Sequence, residues 1–225
     1  MTDTALLPAE TEPRSLAEKA YQILVRKITR LELAPGSVLA EKILVEQLDI
    51  GRTPVREALQ RLAGEDLAQH MPNRGMFVSE ISATSVQHIY EFRTLIDGYA
   101  ARLAATRASD DEIRELAALH KGLVQATRDD DVDHYVALDR RFYDVLASAA
   151  QNIFLAEVIP RIFNLHLRLW FFISNKTGSW HPIAEAHEEM TMSVVDALDR
   201  HDADEAELAM KIYISRRHQD IRDIL

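Results

Sequence analysis

The order of four patterned segments near the start of the chain most restricts its fold. Apolar residues recur at three- and four-residue steps over 15–31, 40–48 and 52–64, so three helices are predicted, of which the second is short. Residues 67–81 then alternate around a Pro-Asn-Arg-Gly turn, which predicts two strands. Helices followed by a hairpin are the order of a winged helix-turn-helix, so we expect this fold over residues 14–80.

Local signals set the ends and inner faces of these helices. Ser15 and Glu18 match a capping box at the start of the first helix. The second helix is expected to bury Ile43, Leu44 and Leu48. The third helix is expected to bury the apolar face formed by Val55, Ala58, Leu59 and Leu62.

The rest of the chain, residues 82–225, is patterned almost entirely as helix. Six segments are predicted, at about 84–107, 110–128, 132–150, 153–175, 181–200 and 203–224. Three of them start with the pattern of a capping box, namely Thr84/Gln87, Ser109/Glu112 and Asp202/Glu205. The fold class is therefore mainly α: a winged helix-turn-helix, then an antiparallel all-helical bundle, with residues 1–13 as a flexible tail.

Charge and composition limit the possible partners. Residues 14–80 carry ten basic and nine acidic side chains, whereas residues 81–225 carry sixteen and twenty-four. An acidic surface repels nucleic acid, so any contact with nucleic acid is expected in the first part. The absence of cysteine excludes disulfides and fits a cytoplasmic protein. No apolar run approaches the roughly 20 residues that span a bilayer, so no membrane partner is expected.

The stretch "GRTPVREALQRL" (51–62) concentrates arginine on the third helix. Arg52 and Arg56 are four residues apart and share the face opposite the apolar one. An arginine fork can bind guanine or phosphate in bidentate fashion, although such a pair is often only a solvated surface. The short preceding helix and a hairpin tip that carries Arg74 and Gly75 favour contact with DNA.

Residues 36–78 resemble the winged-helix domain of GntR-family bacterial transcription regulators. The family pattern has Ser where this chain has Gly51, which still permits the turn. The matched positions are Leu39, Glu41, Leu44, Arg52 through Leu59 and Pro72 through Gly75. The resemblance implies that a double-stranded operator is bound by Lys42, Arg52, Thr53, Arg56, Arg74 and Gly75. Lys42 would touch phosphate, the α-helical arginines and Thr53 would face the major groove, and the last two residues would form the wing contact.

The second part resembles the FadR-type C-terminal domain, called FCD, in the segments 89–105, 139–152 and 194–214. This resemblance implies a homodimeric regulator whose helical domain binds a small molecule that alters its affinity for a near-palindromic operator. Repression relieved by the ligand is the commonest outcome in the family. No catalytic fingerprint accompanies these segments, so an enzyme is not expected.

Many FCD domains hold a divalent metal through one Asp and three His. Here Asp139 matches, but the other three positions align with Tyr143, Thr191 and Tyr213, which are poor ligands for zinc or nickel. No cofactor is therefore expected, and the resemblance implies a hydrogen-bonding pocket for a small polar or anionic metabolite. Its predicted residues are Arg93, Asp139, Tyr143, His166, His187, Thr191 and Tyr213.

Several alternatives remain open from the sequence. A shifted metal site could use Asp139, His166 and His187. Arg93 could clamp an anionic effector or only pair with Asp97 one turn away. The chain could also be a constitutive DNA-binding regulator that responds to no effector. Finally, Asp139 and His187 could form the acid–base pair of a metal-dependent enzyme in the helical domain.

Overall fold

The structure is a computed structural model that describes Pro13 and residues 15–225. The predicted tail, residues 1–13, lies outside the described residues except for Pro13. The first elements are α1 (Leu16–Thr29), α2 (Glu41–Leu48), α3 (Arg52–Gly64), β1 (Ala68–Met71) and β2 (Gly75–Val78). They are followed by α4 (Ala83–Arg107), α5 (Asp110–Arg128), α6 (Val132–Ala149), α7 (Ile153–Thr177), α8 (His181–Asp199) and α9 (Ala203–Ile224). The mainly helical fold class is confirmed.

The three N-terminal helices form where the sequence predicts them. The Ser15 hydroxyl accepts a hydrogen bond from the Glu18 amide at 3.1 Å, which caps α1. The predicted apolar face of α3 is buried in full. The expectation for α2 was wrong at Ile43, which is 52% exposed, because this eight-residue helix buries only Leu44.

The wing is a short antiparallel hairpin. Ala68 pairs with Val78 and Met71 with Gly75. Asn73 and Gly75 both have positive φ angles, 61° and 95°, and Gly tolerates this conformation without steric cost. The segment before α2 extends the pairing, since the Leu39 amide donates to the Met76 carbonyl at 2.8 Å. The hairpin is thus anchored at the side of α2.

The helical part follows its predicted segments closely. Ser109 and Glu112 form the capping box of α5, and Asp202 caps α9 through the Glu205 amide. The capping box predicted at Thr84 was wrong, because α4 begins at Ala83 and Thr84 lies inside its first turn. Helix α4 packs along α9, and α5 packs against α6 and α8. The amphipathic faces of these helices supply the core.

The described chain divides into two compact units, each with its own core. The winged-helix unit contains the described residues up to Ser82 together with residues 164–172, whereas the helical unit contains residues 83–163 and 173–225. Sequence patterning places residues 164–172 in the helical domain, but their contacts group them with the winged helix. Arg168, for example, donates a hydrogen bond to the Ser79 carbonyl. None of the described helices is long and apolar enough to cross a membrane.

Candidate DNA-binding surface and effector pocket

The start of α3 presents the predicted DNA-reading residues to solvent. Arg52, Thr53 and Arg56 are exposed, while the opposite side of the helix is buried in the core of the winged-helix unit. Gly51 is the N-cap and has no side chain that could occupy the first amide groups of the helix. Such amides carry a partial positive charge and can bind a phosphate. The first amide groups of α3 are therefore not capped by the side chain of its N-cap residue.

A cleft lies between α3, the start of α2 and the wing. Its volume is about 730 Å³, and Arg56, Arg74 and Gly75 line it together. The Arg74 guanidinium lies 5.6 Å from the centre of the Phe77 ring, which steadies its position at the wing. Lys42 is exposed on α2. The structure thus brings the predicted wing residues and Arg56 to one surface, with Lys42 on the adjoining helix.

Glu41 is the functional candidate on this surface to which the sequence assigned no role. Its carboxylate forms an ion pair with Arg52, whose Nε lies 3.0 Å from Oε1, and accepts hydrogen bonds from Arg56 Nε and Nη2, both at 3.1 Å. The matched Glu of the L-x-E-x-x-L pattern was the available signal. Sequence spacing could not show its partners, because they lie on another helix.

In the helical unit, Arg93 is the centre of a buried polar cluster. Its Nε donates to Asp97 Oδ2 at 2.8 Å and its Nη2 donates to the Tyr143 hydroxyl at 2.9 Å. Burial by itself lowers the pKa of Arg93, but Asp97 and the neighbouring tyrosines outweigh it and raise the pKa. Arg93 therefore stays charged, and the predicted pairing with Asp97 is present. Tyr143 in turn directs its hydroxyl at the Met210 sulfur, 4.0 Å away.

Asp139 and His187 face each other across α6 and α8. Asp139 Oδ1 lies 3.2 Å from His187 Nε2 without the alignment of a hydrogen bond. Tyr135, which the sequence reading missed, contacts His187 Nδ1 through its hydroxyl at 2.9 Å. Burial raises the pKa of Asp139 to about 7 and, aided by Arg93, lowers the pKa of His187 to about 3. The pair is thus held in its neutral form near pH 6.

Tyr143 and Tyr213 enclose His187. The Tyr143 ring stacks on the imidazole at 6.2 Å and the Tyr213 ring lies 5.4 Å from it. Thr191 faces a different partner: its hydroxyl donates to the Glu188 carbonyl at 3.0 Å and lies 2.9 Å from His120 Nδ1. Because the Thr191 proton is already engaged, His120 Nδ1 acts as the donor.

His166, another predicted pocket residue, lies in residues 164–172, which group with the winged-helix unit and not with the helical unit. Its role in an effector pocket stays a prediction. Over the described residues, no group of three or more His, Cys, Asp or Glu side chains is arranged to hold a metal ion.

Several polar atoms of the buried cluster around Arg93 and His187 have no hydrogen-bond partner among the residues that the structure describes. They are Arg93 Nη1, Asp139 Oδ1, His187 Nε2 and the Tyr213 hydroxyl. Leaving a buried donor or acceptor unpaired costs about 1–3 kcal/mol. All four atoms lie in the helical unit, and two of them, Asp139 Oδ1 and His187 Nε2, face each other at 3.2 Å.

Protein-family models match both the N-terminal and the C-terminal part of the chain. Residues 16–78 match the family model of bacterial regulatory proteins of the gntR family, and residues 88–216 match the FCD domain. The chain belongs to the GntR family. It is a DNA-binding transcription regulator with an FCD domain, and the fold and family implied by the sequence motifs are confirmed.

Relatives of this GntR regulator extend over nearly its whole length. The HTH-type transcriptional repressor RspR of Escherichia coli (strain K12) is 27% identical over 99% of this chain and 94% of its own. The Nta operon transcriptional regulator of Aminobacter aminovorans is 28% identical over 85% of this chain and 87% of its own. The solved structure of E. coli McbR/YncC is 21% identical, covers 94% of this chain and 99% of its own, and superposes with a TM-score of 0.77. That likeness shows the fold.

Proposed function

We propose that this GntR regulator is a cytoplasmic, homodimeric repressor. A small polar or anionic metabolite bound in the helical unit lowers its affinity for the operator. Repression is supported by the naming of a full-length relative as a repressor. The mechanism is thermodynamic coupling, in which effector and operator favour different states of the protein and each weakens binding of the other. No resident metal is part of the proposal.

The effector proposal rests on Arg93 Nη1 and the Tyr213 hydroxyl, which are buried with no hydrogen-bond partner among the described residues, and on the contact of Asp139 Oδ1 with His187 Nε2 beside them. A regulator that responds to no effector has no use for a buried arginine with a free Nη1, because satisfying or removing that group would stabilise the fold. An anionic group would accept from Arg93 Nη1 and the Tyr213 hydroxyl. Asp139 and His187 supply a neutral acceptor and donor for a hydroxyl or carbonyl beside it.

Screening metabolites by thermal shift tests the effector proposal. A ligand that binds only the folded state raises its stability by about 2.7 kcal/mol at one hundred times its Kd. We expect a compound that carries a carboxylate or phosphate to raise the melting temperature and to release a bound operator duplex. If no anionic metabolite does either, the constitutive regulator is the better description.

Tyr213→Phe provides the sharpest variant for this pocket. Because the Tyr213 hydroxyl is buried and has no hydrogen-bond partner among the described residues, removing it should not lower the free energy of unfolding and should raise it by about 1–3 kcal/mol. If the hydroxyl donates to the ligand, the Kd should rise about tenfold. Ser193→Ala, which removes the donor of an exposed hydrogen bond on α8 to the Glu189 carbonyl, is the control and should leave the Kd unchanged. Equal Kd values for both variants would place the ligand elsewhere.

Operator reading by α3 is tested with a short duplex that the wild-type protein selects from a random-sequence pool. Arg56→Ala should weaken binding of that duplex by about 1–3 kcal/mol and relax the sequence preference at one base. Arg114→Ala, which removes an equally exposed arginine from the helical unit, should leave the affinity within about twofold. Unchanged affinity for both Arg52→Ala and Arg56→Ala would contradict the assignment of α3.

The homodimer is proposed to form through α4 and α9. These two helices pack against each other, and both expose large apolar side chains, namely Phe92, Leu95, Tyr99, Leu208 and Ile212. A monomer rarely leaves a contiguous apolar patch of this kind in water. A two-fold dimer also matches the symmetry of a near-palindromic operator.

Light scattering at micromolar concentration checks the interface. Leu95→Glu and Ile212→Glu should each convert a dimer into a monomer, because a charge would be buried against the partner copy without a counter-charge. Ile153→Glu is the control, since Ile153 is exposed at the start of α7, and it should remain dimeric. A dimer that survives both substitutions in α4 and α9 would exclude this surface.

A further inference from the structure

One carboxylate holds both proposed DNA-reading arginines in the winged-helix unit. Glu41, the first residue of α2, binds Arg52 through Nε at 3.0 Å, and Arg56 through Nε and Nη2 at 3.1 Å each. Arg52 and Arg56 keep 69% and 58% of their side-chain surface exposed, whereas Glu41 keeps 28%. An exposed ion pair contributes little to stability, so the arrangement calls for another explanation than folding.

The geometry determines which edge of each guanidinium is left for DNA. A guanidinium offers a side fork from Nε and Nη2 and an end fork from Nη1 and Nη2. Glu41 occupies the side fork of Arg56, so only the end fork points away from α2. The ion pair of Arg52 with Glu41 also runs through Nε, at 3.0 Å, so this contact lies on the side-fork edge and does not use the end fork. The end fork is the edge that can bind guanine O6 and N7 together.

We propose that Glu41 is a specificity-determining positioning residue that fixes Arg52 and Arg56 in the orientation for reading base edges. The inference rests on the proposed operator contact by these two arginines. Holding two long side chains in place before binding lowers the ordering cost of the specific complex. Attraction to phosphates depends on charge and not on sequence, so it acts on specific and non-specific complexes alike. Positioning acts only on the specific complex and therefore widens the gap between specific and non-specific binding.

The test compares affinity for the selected duplex with affinity for the unselected random pool. Glu41→Gln keeps the size of the side chain but removes its charge. We expect it to lower the ratio of specific to pool affinity about tenfold, the discrimination of one good base contact. Glu46→Gln removes the same charge from an exposed position of the same helix, and we expect it to leave the ratio within about twofold.

A double-variant comparison separates positioning from other roles. In a protein that already carries Arg52→Ala and Arg56→Ala, Glu41→Gln should cause no further loss of the ratio. A persisting loss would mean that Glu41 reads DNA itself. If Glu41→Gln tightens binding to duplex and pool equally, it acts only as a competing charge. If both affinities fall in parallel with the free energy of unfolding, it acts only on the fold of α2. Each of these three results overturns the proposal.

The arginine variants also distinguish this inference from the function on which it rests. If Arg52→Ala and Arg56→Ala leave the ratio unchanged, the assignment of α3 as the reading helix fails, whatever Glu41 does. If the arginine variants lower the ratio and Glu41→Gln does not, the operator contact stands and only the positioning role of Glu41 is wrong.

Discussion

Replacing Asp97 with alanine will lower the free energy of unfolding by about 3–5 kcal/mol, because Arg93 then keeps a buried charge without its counter-ion. Both side chains are buried, and Arg93 Nε donates to Asp97 Oδ2 at 2.8 Å. Arginine does not shed its proton in proteins, so the charge cannot be relieved by titration. Equilibrium unfolding in urea measures the loss.

Two further variants show that the loss comes from the unpaired charge. Asp111→Ala removes the carboxylate of an ion pair that is exposed on α5, and it should cost less than about 1 kcal/mol. The double replacement Arg93→Met with Asp97→Leu removes both charges and should recover most of the stability, since an apolar pair of similar volume is often neutral. A loss below about 1 kcal/mol for Asp97→Ala would mean that water or another group compensates Arg93.

The helices were predictable because their ends depend on local hydrogen bonds. Ser109 bonds with a residue three positions along, and so does Asp202, so each signal lies within a few letters of sequence. The error at Thr84 has the same origin: neighbouring polar residues compete as caps, and α4 starts one residue earlier. The exposure of Ile43 could not be predicted from its spacing, because the eight-residue helix α2 buries only Leu44.

The candidate sites were predictable only in part, because their decisive contacts are long-range. Tyr135 meets His187 across 52 residues of sequence, and Arg56 meets Glu41 across 15. A match to a family pattern identifies candidate positions, but it does not show which residues they contact. The grouping of His166 with the winged-helix unit was likewise not visible in its spacing on α7, because it depends on contacts with residues far away in sequence.

The neutral pair of Asp139 and His187 predicts opposite pH dependences for two single variants. In the folded protein the pKa of Asp139 is raised to about 7, chiefly by burial, so folded protein holds a proton that the unfolded chain loses near pH 4. The pKa of His187 is lowered to about 3, chiefly by burial and then by Arg93, His120 and Arg217, so here the unfolded chain holds the extra proton. Between about pH 4 and 6.5 the two effects cancel in the wild-type protein.

Replacing one residue of the pair leaves the pH dependence of stability that the other residue causes. In Asp139→Asn only His187 remains, the unfolded chain binds more protons, and stability rises with pH by up to about 1.4 kcal/mol per unit. In His187→Gln only Asp139 remains, the folded chain binds more protons, and stability falls with pH at a similar rate until about pH 7. Other titrating groups contribute to all three proteins alike, so the differences from wild type isolate the pair.

Urea unfolding at several pH values between 4 and 7 measures these slopes, and infrared spectroscopy locates the shared proton. If Asp139 holds it, the folded wild-type protein should show a carboxylic acid carbonyl band near pH 6 that is absent from Asp139→Asn. Proton counting alone does not separate a neutral pair from an ion pair, because both hold one proton. Slopes equal to wild type in both variants would show that neither side chain has a shifted pKa. Opposite pH slopes of stability in the two variants, without the carbonyl band, would place the proton on His187 and make the pair ionic. Asp139 and His187 would then offer a carboxylate and an imidazolium to the proposed hydroxyl or carbonyl of the effector, instead of two neutral groups.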